Sequence, residues 1–223
     1  MVTESKNLPS AYITPNAVLL LCLILMVFFV PVLPTSYHQV TYNFLFSCVF
    51  LLSALALQHI GRKKIIGFSL LLIIVIWVAF TIELPGLFLA SRIGQGLFFV
   101  FIVIRLITQT ASAKKVNVRV IADSVNGYLL VGIIYTIVVY SVMRFQPEAY
   151  HFPEGTEGDK QAVLSKMFYY TFVTYTSTGY GDITPKVPGA RSLATLISAT
   201  GQLYVAVIIA MLVGKFSGTG TTE

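Results

Sequence analysis

Charge is scarce in this chain: only 11% of its 223 residues are Asp, Glu, Lys or Arg, nine acids against fifteen bases. A water-soluble domain needs a polar exterior that such a composition does not supply. Cysteine is nearly absent as well. The two present, Cys22 and Cys48, sit inside apolar runs, where thiols act as small packing groups, so no disulfide framework is implied. The three histidines, His38, His59 and His151, lie far apart, without metal-ligand spacing and without a partnered nucleophile. No enzyme and no cofactor is expected from them. The sequence pI is near 9.3, yet the basic residues are spread thinly between apolar stretches instead of forming a stripe on a polar domain, which excludes a nucleic-acid partner. What fills the chain is apolar: 56% hydrophobic residues and a mean hydropathy of +0.82. The partner this predicts is the lipid bilayer.

Six stretches approach the ~20 residues an apolar helix needs to cross a bilayer. They are about Ala17–Leu33, Tyr42–Ile60, Ile65–Ile82, Leu87–Thr110, Ser124–Val142 and Leu193–Val213. The uncharged stretch Pro34–Thr41 joins the first two, and Glu83-Leu84-Pro85-Gly86 forces a hairpin between the third and fourth. With the amino terminus inside, Lys6, the Arg62–Lys64 cluster, Lys114, Lys115, Arg119 and Lys215 all fall on the cytoplasmic side, and Glu83 falls outside. The positive-inside rule therefore predicts a multi-pass protein of the cell membrane with both termini cytoplasmic. A signal peptide is the alternative for the first stretch, but no basic run precedes it and no small-residue cleavage site follows. The expected organisation is an N-terminal segment 1–16, a four-helix domain 17–112, a linker 113–123, a unit 124–214 containing two spans and a long re-entrant connection, and a tail 215–223.

That connection contains Thr176 to Pro185, TSTGYGDITP. Glycine and aspartate cluster in ordinary turns too, but here Gly-Tyr-Gly-Asp follows an aromatic segment long enough for a short helix and precedes another span. Stacked rings of backbone carbonyls can strip a potassium ion of water only if alternate residues tolerate unusual backbone angles. Gly179 and Gly181 supply that tolerance. Tyr180 can wedge its ring outward, and Asp182 closes the segment with a carboxylate.

On these residues the chain resembles a six-span subunit of the tetrameric potassium channel family, with the motif resemblance covering Tyr170 to Pro185 and the looser likeness in span order covering almost the whole chain. The resemblance implies an all-α membrane fold of six transmembrane helices with a re-entrant pore helix over 163–175 and a filter over 177–181, assembled with fourfold symmetry. One loop per chain requires four chains, hence a homotetramer or joining with auxiliary or sister subunits. The family's Thr-Val-Gly-Tyr-Gly filter falls on Ser177, Thr178, Gly179, Tyr180 and Gly181, and K+ would bind at Ser177, Thr178, Gly179 and Tyr180. Ser177 keeps the hydroxyl of the usual threonine but lacks the methyl that restricts its rotamer, which predicts a less rigid innermost site. Thr178 replaces a common valine and is expected to hydrogen-bond behind the filter.

The resemblance further implies filter support from Tyr169, Tyr170, Asp182 and Thr176, with Phe168 and Phe172 also around the filter and a contact from Tyr169 to Asp182. Gly201, twenty residues after Gly181, falls at the family's inner-helix hinge. Glycine also permits close helix packing, which is the plainer role. Below it, Val205, Ile208, Ile209 and Leu212 are the candidates for an apolar inner constriction. Glu148, Glu154, Glu157 and Asp159 against Lys160 make the loop beside the filter acidic, either a cation concentrator or a solvated turret.

The fourth span carries only Arg92 and Arg105, without a basic residue at every third position, so weak or no voltage gating is expected. The leading expectation is a potassium-selective channel subunit that conducts passively. A poorly selective cation channel and a non-conducting modulatory or scaffold subunit are the alternatives.

Overall fold

A computed structural model describes residues 13–57, 62–82, 85–113, 116–153 and 162–217. Helix α1 spans Ile13–Ile24 and runs on as a π turn, Leu25–Phe29, and a 3-10 turn, Val30–Val32. Pro31 explains that loosening. It has no N–H to return to the preceding turn, so the ladder widens, with the Val30 N–H reaching Leu25 O, then tightens, with the Leu33 N–H on Val30 O at 3.1 Å. Helices α2 (Thr35–Ala56), α3 (Arg62–Ile82), α4 (Pro85–Ser112) and α5 (Val118–Phe145) follow, then the short α6 (Val163–Tyr175) and the long α7 (Pro188–Ser217). Strands β1 (Tyr150–His151) and β2 (Thr184–Pro185) pair antiparallel, tying the chain after α5 to the chain before α7.

The fold is all-α. Among the described residues, five helices are long and apolar enough to cross a membrane: Pro15–Val32, Thr35–Ala56, Leu89–Ser112, Val118–Phe145 and Pro188–Lys215. The remaining expected span coincides with α3, a helix of 21 residues.

Two boundaries differ from the sequence expectation. The connection expected over Pro34–Thr41 is mostly helix, because α2 starts at Thr35 directly after Pro34 and nothing in Thr35–Thr41 breaks a helix. His38 secures this first turn, its Nε2 lying 2.8 Å from Leu33 O. Likewise α5 begins at Val118 instead of near Ser124, because the Asn117 side chain accepts the Val120 N–H at 3.0 Å as an N-cap. The expected linker 113–123 thus shortens to 113–117, of which 114 and 115 lie outside the described residues. Lys6, His59, Glu83, Glu154, Glu157, Asp159, Lys160 and the tail beyond 217 also lie outside them.

The front helices share one core with α5 and with Phe168 and Phe172 of α6, while Tyr170 and Tyr175 of α6 and Ala190 and Ile197 of α7 belong to a second cluster. Tyr42 of α2 stacks on Phe168 of α6, ring centroids 4.9 Å apart and 1° from parallel. Phe50 of α2 stacks on Phe99 of α4 at 4.7 Å, and Leu130 and Ile133 of α5 are fully buried in the same cluster. Parallel and tilted aromatic pairs of this kind stabilise by about 1 kcal/mol each beyond their area burial.

A polar knot crosses this core where α1, α4 and α5 meet. The buried Asp123 carboxylate accepts from Asn16 Nδ2 on one oxygen and from Gln109 Nε2 at 2.6 Å on the other, with Arg119 Nε 3.9 Å away. Asn126 Nδ2 donates to Asn16 O at 3.1 Å. Nearby, Lys215 at the end of α7 donates to the carbonyls of Thr110 and Ala111, so a cation caps the C-terminus of α4. The two α4 arginines are far apart: Arg92 donates to Gln95 Oε1 at 3.0 Å and lies 5.5 Å over the Tyr140 ring, whereas Arg105 lines a cavity of about 290 Å³ with Arg119 and Asp123.

Asp123→Ala leaves the buried amide of Asn16 and the part-buried amide of Gln109 without this acceptor and removes the ion-pair partner of Arg119, which still donates to Ala56 O. The expected loss is about 3 kcal/mol, read as a lower thermal midpoint of the purified protein in detergent, with Asp123→Asn falling less. An unchanged midpoint for the alanine variant would contradict the structural role given to the knot.

Candidate functional site

The segment Thr176–Asp182 leaves α6 through a Schellman motif. Ser177 N–H bonds to Thr174 O and Thr178 N–H to Val173 O, both at 2.9 Å, while the residue between the helix and Thr178 turns left-handed. That position normally takes glycine, but here it is Ser177, with φ of +58°, the one non-glycine residue with positive φ among those described. For an L-residue this conformation costs about 1–2 kcal/mol, offset here by two bonds to otherwise orphaned helix carbonyls. Gly179 (φ +59°) and Gly181 (φ +80°) repeat the left-handed turn at the next two alternate positions. Alternation of left- and right-handed residues turns successive N–H groups to one side and successive carbonyls to the other. Positive φ at alternate residues is the backbone condition that stacked carbonyl rings of a cation filter require.

The side chains around it divide by helical period. In α6, Tyr169, Val173 and Thr176 share the face toward the filter, and the Tyr169 phenol donates to the Asp182 carboxylate. That bond to the charged carboxylate pushes the Tyr169 hydroxyl up to about 12. Thr176 Oγ1 donates to Phe172 O at 2.8 Å and lies 2.9 Å from Thr178 Oγ1, so both threonine hydroxyls are engaged beside the filter backbone. Tyr170 does not join them. It is buried against Tyr150 of β1, with ring centroids 5.1 Å apart, because one residue along a helix rotates the side chain by about 100°. Phe168 and Phe172 likewise turn into the core shared with the front helices and not toward the filter.

Helix α7 closes the site from below. Gly201 stands where a β-carbon would lie 1.9 Å from the Tyr175 carbonyl oxygen, so α7 touches the end of α6 backbone to backbone. The helix runs through this glycine without a break. Tyr175 also packs against Tyr128 of α5, whose ring centroid is 4.7 Å away, and Tyr135 hydroxyl lies 2.8 Å from Thr200 Oγ1. Of the constriction candidates, Val205 and Ile209 are exposed, Leu212 is half-buried, and Ile208 is turned into the protomer, off the open face.

Sequence reasoning missed two residues. Ser198 Oγ lies 3.0 Å from Ser177 Oγ, and Gln202 Nε2 donates to the same oxygen at 3.0 Å. The available signal was that Ser198 and Gln202 are four residues apart in α7, which places both on one face.

Residues 127–217 match the ion channel family Ion_trans_2. The A-type voltage-gated potassium channel KCND3 of Rattus norvegicus and that of Homo sapiens are each 30% identical to this chain over 91 residues, which is 41% of this chain and 13% of the relative. The chain thus spans a small part of the length of the relatives it matches. No solved structure matches.

Gly201→Ala separates two roles. Alanine is favoured over glycine in a helix by about 1 kcal/mol, but overpacking against a backbone oxygen costs about 1–3 kcal/mol and no rotamer relieves it. The expected outcome is a lower thermal midpoint. A hinge alone would shift gating and leave the midpoint in place. Tyr169→Phe removes the phenol bond to Asp182, and filter stability, read as the lifetime of current at low K+, is expected to shorten. Because the phenol value is raised, that bond is fully present below about pH 10, the ordinary tyrosine range, and is lost as pH rises through about 12. The difference between wild type and the phenylalanine variant should therefore be flat from pH 6 to 9; a difference that vanishes within that range would contradict the assignment.

Proposed function

We propose that this chain, whose residues 127–217 are an ion channel domain related to potassium channels, is a subunit of a potassium-selective pore built from four copies in the cell membrane. The observation that carries the reading is the left-handed repeat at Ser177, Gly179 and Gly181. Positive φ at alternate residues supports a carbonyl edge at the residues where the motif calls for ion binding, Ser177 through Gly181.

The protomer surface supports assembly. The filter segment Thr176–Asp182 is exposed throughout, and Tyr180 is 72% exposed although a tyrosine at this place has a wedging role only against neighbours. Within the 18-residue apolar window of Pro188–Lys215 only 11% is buried within the chain, against 50% in that of Val118–Phe145. An apolar helix so little covered needs lipid or further protein around it, and a filter edge needs copies of itself around an axis. A homotetramer satisfies both, with K+ as the permeant ion and no further cofactor. The distribution of the basic clusters supports a topology with both termini in the cytoplasm.

Voltage control is weak in this reading. One charge moved across 100 mV supplies about 2.3 kcal/mol, and Arg92 is held by Gln95 and the Tyr140 ring.

The test is the reversal potential of the purified protein in a planar bilayer with K+ on one side and Na+ on the other. Each tenfold preference for K+ moves it by about 59 mV, and a shift of that size toward the K+ equilibrium value is expected. Robust current reversing near zero would make this a poorly selective cation channel, and silence of the pure protein would favour a modulatory subunit. Gly179→Ala should abolish K+ current while the tetramer remains assembled; unchanged current would remove the filter assignment.

A further inference from the structure

The Ser177 hydroxyl occupies the innermost ring of the candidate filter, where its oxygen would be a side-chain ligand for an ion arriving along α7. In this fold that oxygen is already engaged. Gln202 Nε2 donates to it at 3.0 Å, and Ser198 Oγ lies 3.0 Å from it. A hydroxyl has one proton and two acceptor positions. The amide of Gln202 fills one position. If Ser177 donates its proton to Ser198, one acceptor position remains for a cation; if Ser198 donates, none remains. Either way the amide also aims the positive end of its dipole at the place where a cation would sit. The carbonyls are unaffected, because the Schellman bonds that hold Ser177 left-handed use its N–H and those of its neighbours.

We propose that Gln202 is a positioning residue for the innermost ion site: with Ser198 it ties the Ser177 hydroxyl to α7 and so weakens that ring's hold on a cation. The inference rests on the potassium-pore reading above and deepens it. It also assigns a use to Ser198 and Gln202, which share one face of α7. Gln202 follows Gly201 directly, so the backbone contact of Gly201 with Tyr175 fixes the height at which the amide meets the filter.

Ba2+ is the probe, because it is close to K+ in size and carries twice the charge, so it dwells in a K+ site and reports the ring it reaches first. It is applied to the full chain in bilayers from the side on which α7 ends, and the half-blocking concentration is compared between wild type and Gln202→Leu. Freeing an acceptor position on Ser177 is expected to tighten block on the order of tenfold, the equivalent of one hydrogen bond to a charged group. In a Ser177→Ala background the same substitution should do nothing. Gln202→Met serves where leucine disturbs assembly, and the Ba2+ concentration that half-protects the tetramer against thermal dissociation gives the same comparison without current. Unchanged Ba2+ affinity in Gln202→Leu and Gln202→Met, with K+ selectivity intact, overturns this inference and leaves the pore reading standing. An equal tightening with and without the Ser177 hydroxyl also overturns it, since Gln202 would then act on the ion directly. Loss of K+ selectivity in the wild type removes the pore reading, and this inference with it.

Discussion

The carbonyl of Tyr175 rests where the β-carbon of any residue but glycine at 201 would stand. Much of the site depends on that contact. It sets how far the end of α6 projects along α7, and α6 ends in the Schellman turn from which the filter segment starts. Because the turn fixes Ser177 as left-handed, the alternation that continues through Gly179 and Gly181 begins in a defined phase. A shift of α7 away from α6 would therefore move Ser198 and Gln202 relative to the first residue of the filter, not merely loosen a helix pair. Tyr128 and Tyr135 of α5 pack their rings 4.7 and 6.2 Å from the ring of Tyr175, so α5 also holds the end of α6.

Behind α6 the support is aromatic. Phe168 stacks on Tyr42, and Phe172 fills the space above Gly132, where an added β-carbon would come within 2.5 Å of the ring. Interiors packed this closely transmit displacement instead of absorbing it. The front helices are thus part of the wall that positions α6, because Phe168 and Phe172 sit in the same cluster as residues of α1 to α5.

How much of this the sequence revealed depends on the range of the forces involved. The positive φ of Gly179 and Gly181 was legible because it is local: two glycines at alternate positions are a backbone requirement written in residue type. The apolar stretches were legible because a bilayer imposes length and hydropathy. The start of α2 at Thr35 was not, because an uncharged polar turn reads equally as loop or helix until His38 is seen closing on Leu33. Tyr170 could not be separated from Tyr169 by composition, since only the rotation of α6 decides which ring meets Asp182 and which meets Tyr150. Ser177 was read for its hydroxyl, while its backbone angle, the more unusual property, belongs to a cap that needs the helix end in place. Ser198 and Gln202 stayed hidden because their partner lies more than twenty residues away in a loop.

The arginines of α4 illustrate why charge count alone does not describe a membrane helix. Near one end Arg92 is tied to Gln95 on its own helix and to the Tyr140 ring on α5, a cation–π contact worth up to about 2 kcal/mol when desolvated. At the other end the last carbonyls of α4 are capped by Lys215, which belongs to α7. A displacement of α4 along its axis would have to break the first contact and drag or release the second. Two charges each crossing part of the field at 100 mV yield less than twice about 2.3 kcal/mol, the same order as the contacts that resist them. The helix is therefore better described as a strut between the aromatic core, the polar knot around Asp123 and the Lys215 end of α7.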